Sequence, residues 1–292
     1  MKYAVFSVSV PVYTPEEAVT RLKEIGYDGI EWRVIDQEPT TKHPNFWAGN
    51  LATLPLSTLE QDAPKWKKLT EDAGLEIPGL GTYTGCNDLD AVDAAMRGAV
   101  AIGAPQLRIN APKYNGLDPF KPIWDTARAQ YADVAKLAAK HGVKALIELH
   151  HGSIVPSASA GRMFLEGLDP VHVGVIHDAG NMVHEGYETH RLSLEILGPY
   201  LGHVHVKNAR WFPEKYNPDG SVSWKCDWAP VHKGIIAIPA LFTALHAIGY
   251  DGWIGLEDFS TEKPFEQRLT ENLAYLKRVE AETRGSEASQ TG

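Results

Sequence analysis

Eight times along this chain an apolar run of strand length is followed by an amphipathic stretch of helix length, and no other feature limits the possible folds as much. The strand-like runs fall at residues 3–9, 29–33, 76–82, 106–110, 144–150, 173–178, 202–208 and 252–258. The helix-like stretches fall at 15–25, 59–73, 89–102, 124–141, 157–168, 189–197, 239–248 and 265–283. Strict alternation implies parallel strands joined by right-handed crossovers. Eight such units predict an α/β fold, a single (β/α)8 TIM barrel, over residues 1–284, with the Gly/Ser-containing stretch 285–292 as a flexible tail. Gly26, Gly74, Gly103, Gly142 and Gly249 each follow a helical pattern and precede a strand, as helix stops do. The sequence Ile-Gly-Tyr-Asp-Gly at 25–29 recurs at 248–252, as a fold of repeated units allows.

The 292 residues are enough to bury a full core without staples, and 43% apolar with 22% charged residues is ordinary for a globular chain. A net charge of −9 argues against nucleic acid or an anionic membrane as partner, although a phosphorylated substrate would need only a local basic pocket. Cys86 and Cys226 are isolated, so a reducing cytoplasm is the expected setting. The opening residues alternate like a strand and lack a small-residue cleavage site, so they are not read as a signal peptide. No apolar run reaches the roughly 18 residues of a membrane span.

Chemistry concentrates at the ends of four successive strand-like runs: Glu148 in ALIELHH, Asp178 in VGVIHDAGN, His205 in HVHVKN and Glu257 in WIGLEDF. Strand C-termini meet at one rim of such a barrel, where the loops build sites. Three carboxylates and an imidazole suit one hard divalent cation with positions left for substrate; Mn²⁺ is the first choice, with Mg²⁺ or Co²⁺ as alternatives. A buried strand-end Glu needs either such a cation or an interior Arg or Lys. Asp178 would equally suit a turn or a helix start. His203, His205 and Lys207 share one strand face; His205 lies nearer the strand end and is the preferred ligand, leaving His203 as a hydrogen-bonded core residue. Lys207 could reach a substrate oxygen or a developing oxyanion, or form an ordinary salt bridge.

His150 and His151 are the next candidates, as general bases, and His150, which shares the face of Glu148, is preferred. His184 and Glu185 border or cap the pocket. Arg33, Arg108 and Asn110, at strand ends, are candidates for binding sugar hydroxyls, and Arg108 could instead neutralise an interior carboxylate. Two long loops, 34–58 and 209–238, are expected to be functional or mobile. The second carries Trp211, Phe212, Tyr216, Trp224 and Trp228, which either pack the loop down or form a stacking wall for a sugar or aryl ring. Phe46, Trp47 and Trp211 are candidates for an interface or a substrate lid.

The segments GYDGIEWR, IELHHGS, VIHDAGN, HVHVKNA and GLED resemble the xylose-isomerase-like TIM barrels, also called sugar phosphate isomerases/epimerases, and the resemblance runs from Tyr3 to about Val279. It implies a metal held by Glu148, Asp178, His205 and Glu257. As in the ketose 3-epimerases of that group, it implies that the two glutamates exchange protons with a substrate carbon. The chain departs from those epimerases twice. Their His three residues after the aspartate is Asn181 here, and their Arg six residues after the ligand histidine is Trp211. Asn181 and Trp211 are therefore candidate substrate contacts of a different kind. The loss of that His also removes a ligand that the multi-metal nuclease branch needs.

The E-x-H-H-G-S-I-x-P-S-A-S stretch, H-D-A-G-N-M-V-H-E-G and the Trp-rich loop are more similar to catalytic α subunits of C-glycoside deglycosidases. That resemblance implies removal of the C2 proton of a 3-oxo-glycoside, loss of the aglycone from C1, and a small β subunit as partner. Enolisation followed by β-elimination, with His150, Glu148 or Glu257 as base and Lys207 or a pocket His assisting, is the expected reaction. A ketose isomerase or 3-epimerase is the alternative, and a non-catalytic sugar-binding barrel or a homo-oligomeric assembly is compatible with the same residues.

Overall fold

The computed structural model describes residues 1–288. Eight parallel strands form the barrel: β1 Lys2–Phe6, β2 Gly29–Val34, β3 Leu80–Thr82, β4 Gln106–Arg108, β5 Lys144–Glu148, β6 Val173–Asp178, β7 Leu201–Val206 and β8 Trp253–Leu256. Each pairs with the next, and β1 pairs with both β2 and β8, which closes the sheet. The helices that follow the strands are α1 Pro15–Ile25, α2 Leu59–Asp72, α3 Leu89–Ile102, α4 Phe120–His141, α5 Ala158–Leu165, α6 His190–Leu197, α7 Ile238–Ala247 and α8 Phe265–Ala288. The helix α8 takes in residues 285–288 of the stretch expected to be a tail; the rest of that stretch lies outside the described residues. No helix among the described residues is long and apolar enough to cross a membrane.

Local chemistry explains the boundaries. Helix α1 starts at a capping box in which Glu17 N–H donates to Thr14 Oγ1 and Thr14 N–H donates to Glu17 Oε2. It stops at Gly26, whose φ of 101° no β-carbon would tolerate cheaply. Gly74, Gly103, Gly142 and Gly249 also have positive φ, as the sequence predicted of them. Strand faces divide the labour. On β2, Ile30, Trp32 and Val34 face the helices, where Trp32 Nε1–H donates to Thr70 Oγ1 of α2 at 3.2 Å. Glu31 and Arg33 take the opposite, inward face.

Several strands end sooner than the apolar runs suggest, because their last residues carry polar side chains into the rim. The backbone still extends there: Leu149 N–H donates to Ile176 O and Glu257 N–H donates to Val206 O. The long loop 209–238 differs more from expectation. Most of it is an antiparallel hairpin of Asn208–Tyr216 with Val222–Ala229. Its turn is Asn217-Pro218-Asp219-Gly220, with Gly220 at φ 86°, a turn signal the aromatic content overshadowed. Loop 34–58 contributes a short strand, Thr53–Leu54, alongside the end of β2.

On the outer face of β6, His177 is fully buried with Nε2 2.9 Å from Ser193 Oγ of α6. Burial, then the neighbouring His190, push its pKa down to about 4. An unfolded imidazole titrates near 6.5, so between these values the unfolded chain binds the extra proton and stability rises with pH. The contribution of His177 is complete above about pH 6.5 and falls by roughly 3 kcal/mol as pH drops to about 4. Urea midpoints followed across this range should decline less steeply for His177→Gln than for the native chain; parallel declines would contradict this.

Candidate metal centre

The strands β5 to β8 deliver Glu148, Asp178, His205 and Glu257 to one point at the barrel rim, all of them buried, with one donor atom from each lying within 4.8 Å of the others. His205 Nδ1 is 3.5 Å from Glu148 Oε1, 3.7 Å from Asp178 Oδ2 and 3.8 Å from Glu257 Oε1. Donors at about 2.1 Å around a six-coordinate ion are roughly 3.0 Å apart along an edge and roughly 4.2 Å apart across it. The observed spacings fall in that interval. His205 Nδ1 is buried and has no hydrogen-bond partner. Such an atom is costly unless something electrophilic faces it. The donor set fits a divalent cation.

Charge supports the fit. Four buried carboxylates, Glu31, Glu148, Asp178 and Glu257, meet two buried cations, Arg108 and Lys207. Burial alone would lower the pKa of His205, yet these carboxylates raise it well above its ordinary value, so the cluster draws positive charge that a divalent ion would supply in place of the His205 proton. Burial disfavours ionising Glu148, but Arg108 Nη1, paired with its Oε2, holds it well below the usual carboxylate range. Glu257 goes the other way: burial raises its pKa, and Lys207 and His205 do not offset that. The difference is that Arg108 serves Glu148, whereas Lys207 is shared. Its Nζ lies 2.8 Å from Asp178 Oδ2, bonds Glu257 Oε2, and is 3.8 Å from Glu148 Oε1. Burial alone would lower the pKa of Lys207, yet Asp178, Glu257 and Glu148 raise it above its ordinary value, so it remains an ammonium.

Local structure fixes each group. Asp178 Oδ1 accepts from Asn181 N–H at 2.9 Å and so caps the single helical turn Ala179–Met182, which leaves Oδ2 turned to the cluster. Asp178 thus starts a helix and faces the candidate ion at once. Asn181 Nδ2 donates to Glu148 Oε1 and to Leu149 O, both at 3.2 Å, and orients the glutamate. Gly180 makes room for Lys207: a β-carbon there would lie 2.3 Å from Lys207 Cγ.

A cavity of about 590 Å³ opens over the cluster, within the range of small-molecule sites. Trp47, Tyr83, Trp228 and Phe259 give it aromatic walls, while Arg108, Asn110, Lys113, His150, His151 and Ser153 add polar groups. His150 Nδ1–H donates to His151 O at 2.7 Å, which leaves Nε2 as the basic nitrogen of the neutral ring. His151 stacks on His184 at 3.9 Å, and burial, then His150, pushes its pKa down to about 4. Glu185 accepts from Gly152 N–H.

Of the residues the sequence singled out, the four candidate ligands come together, and Lys207, His150, Arg108, Asn110 and Asn181 line the cavity with Glu148 and Glu257. Arg33 and Trp211 do not. Arg33 donates to Gln37 Oε1, Thr53 Oγ1 and Tyr83 OH, pinning loop 34–58. Trp211 Nε1–H donates to Val183 O at 2.9 Å. Sequence reasoning missed Tyr83, Phe259, Lys113 and Ser153. Phe259 was within reach of it, since it lies two residues beyond Glu257 on an extended segment.

Residues 19–279 match the family model of the xylose isomerase-like TIM barrel. The chain belongs to this family. Among curated proteins it is similar to an inosose dehydratase of Geobacillus thermodenitrificans, 27% identical over 160 residues, which are 50% of this chain and 51% of that protein. The chain thus spans about half the length of the curated relatives it matches. Its fold is similar to that of the 3-keto-D-glucoside 4-epimerase of E. coli (19% identity, TM-score 0.68, 95% of this chain and 99% of that one). It is also similar to that of an L-ribulose 3-epimerase (16% identity, TM-score 0.74, 100% and 99%).

The Arg108–Glu148 pair is buried on both sides, so its loss is expected to cost stability. Removing one partner of a buried pair strands the other charge. Arg108→Met should lower the unfolding free energy by about 3 kcal/mol or more in urea melts with a chelator present. Adding Glu148→Gln should recover much of the loss. An unchanged single variant would mean that Glu148 carries no charge there.

Proposed function

We propose that this chain is a divalent-metal-dependent enzyme that removes the proton α to a keto group of a sugar, and that its reaction is β-elimination from a 3-oxo-glycoside, as in C-glycoside deglycosidases. The observation that carries this reading is the convergence of four ion-compatible donors, a held ammonium and the His150 imidazole on the floor and wall of one aromatic-walled cavity. Glu148, Asp178, His205 and Glu257 would hold the ion, Mn²⁺ by preference with Mg²⁺ or Co²⁺ as alternatives, and the ion would supply Lewis-acid polarisation of a substrate carbonyl.

The chain's own groups divide the proton work. Glu148 is tied by Arg108 and Asn181, so it is the weakest candidate base. Glu257, whose carboxyl is more readily protonated, and His150, with a free basic nitrogen, are the candidates to take the C2 proton. The electron pair of that C–H bond moves towards the C3 carbonyl and returns to form the C1–C2 double bond as the aglycone leaves C1 with its bonding pair. Lys207, an ammonium in the cavity wall 5.2 Å from the Trp228 ring and 5.3 Å from the Phe259 ring, steadies the developing oxyanion or protonates the leaving group. Support comes from the relatives' names: one dehydrates inosose and another epimerises 3-keto-D-glucosides.

Where the substrate has no leaving group, returning the proton to the opposite face of the same carbon gives epimerisation, at C3 in a 2-ketose, and returning it to the neighbouring carbon of the enediolate gives isomerisation, by the same residues. The structural likeness to an L-ribulose 3-epimerase favours this second reading. A small β subunit or a second copy of the chain would meet the hairpin, where Trp211, Tyr216 and Trp224 are exposed.

Proton NMR in D₂O, with Mn²⁺ added and then removed by chelation, tests the proposal on a phenolic 3-oxo-C-glucoside and a free ketohexose. Loss of the C2 proton with release of the phenol is expected, and exchange of the ketohexose alone would instead support the epimerase reading. Glu257→Ala should lose both metal binding and turnover. An active, metal-free Glu257→Ala enzyme would sink the scheme.

A further inference from the structure

We propose that Glu31 is the positioning residue of the metal centre: it fixes the tautomer of His205 and turns the Nδ1 lone pair towards the ion. The inference rests on the metal reading above but concerns a residue outside the ligand set and outside the cavity wall. Glu31 sits on the inward face of β2, across the barrel from β7, and is 2% exposed. Its Oε2 lies 2.8 Å from His205 Nε2 and 3.2 Å from His203 Nε2.

A carboxylate can only accept, so both Nε2 atoms carry the proton. In the neutral ring that an ion would bind, the lone pair is then on Nδ1, the atom that faces Glu148, Asp178 and Glu257 at 3.5 to 3.8 Å. The opposite tautomer would aim an N–H at the ion and a lone pair at the Glu31 carboxylate. Two repulsions would replace two attractions. A histidine that binds metal through one nitrogen commonly donates its other N–H to a carboxylate, and removal of that carboxylate weakens metal binding about 10- to 100-fold.

Two further features fit a designed cradle. Gly255, paired with His205 across β8 and β7, leaves room for the histidines: a β-carbon there would lie 2.7 Å from His205 Cδ2 and 2.9 Å from His203 Nε2. Beneath, the Phe6 ring stacks on His205 with centroids 5.8 Å apart and planes 24° from parallel. The ring is therefore held flat between packed neighbours, and Glu31 sets which nitrogen points up. A second ion among Glu31, His203 and His205 is a competing geometry, since these donors also lie within 4.8 Å of one another. Separations of 2.8 and 3.2 Å to a single shared oxygen match N–H···O hydrogen bonds, which favours the positioning role.

The test is Mn²⁺ titration of the metal-free native chain, Glu31→Gln and Glu31→Leu, with free Mn²⁺ read by electron paramagnetic resonance, alongside urea stability without metal. The native chain should bind one ion. The Kd should rise about 10- to 100-fold in Glu31→Leu, and less in Glu31→Gln, whose amide oxygen still accepts an N–H. Stoichiometry should stay at one. A purely structural Glu31 would change the urea midpoint and leave Kd alone, and that result overturns the proposal. Two ions in the native chain with one lost in Glu31→Leu would overturn it in favour of a second metal site. A native chain that binds no ion would overturn both this inference and the metal reading beneath it, whereas unchanged Kd values in both variants overturn this inference alone.

Discussion

Carboxylates gathered inside a barrel rim repel one another and lose their water, and everything at this end of the molecule is arranged around that cost. Glu31, Glu148, Asp178 and Glu257 are each at most 4% exposed. In a low-dielectric interior such a group survives ionised only with a cation or well-aligned donors close by. Arg108 and Lys207 supply two positive charges, and His203, His205 and Asn181 supply donors. The positive charge these carboxylates still draw, seen in the raised pKa of His205, is what a divalent ion would supply. The chemistry proposed for the site follows from the same arrangement, because the groups that make the carboxylates tolerable also sort them into one held ionised and one ready to take a proton.

The barrel converts sequence order into this arrangement with little extra machinery. Alternation along each strand sends one set of side chains to the helices and the other to the interior, so β5 to β8 need place only one donor each near their C-terminal ends. Small residues then make the space that large ones use. Gly81 admits the Phe6 ring, whose atoms would lie 2.3 Å from a β-carbon at that position, and Gly180 admits Lys207. The floor of the site is therefore a packing solution as much as an electrostatic one.

Most of this was legible in the chain itself, for identifiable reasons. Period and punctuation reveal helices, strands and Gly stops, since those signals are local. Donors at strand ends are legible because strand C-termini converge whatever the details of the loops. Contacts that depend on how a loop returns are not. Arg33 looks like a substrate ligand from its place on β2, but the returning segment brings Gln37 and Thr53 to it. Trp211 looked like part of the cavity wall, yet the hairpin register and its bond to Val183 O set it outside, while Trp228 lines the cavity. Glu31 was visible only as an acidic residue on a strand. Its importance depends on a neighbour more than 170 residues away, which no local pattern can reveal.

The chemistry proposed for this site depends on one divalent ion among Glu148, Asp178, His205 and Glu257. Anomalous diffraction at the manganese edge from a Mn²⁺-soaked crystal addresses it directly. A single strong peak is expected about 2.0–2.3 Å from one donor atom of each of the four residues, His205 contributing Nδ1, with the Lys207 ammonium moved off the peak. A map with no peak there, or with a peak bound by surface carboxylates while Lys207 stays between Asp178 and Glu257, would contradict it.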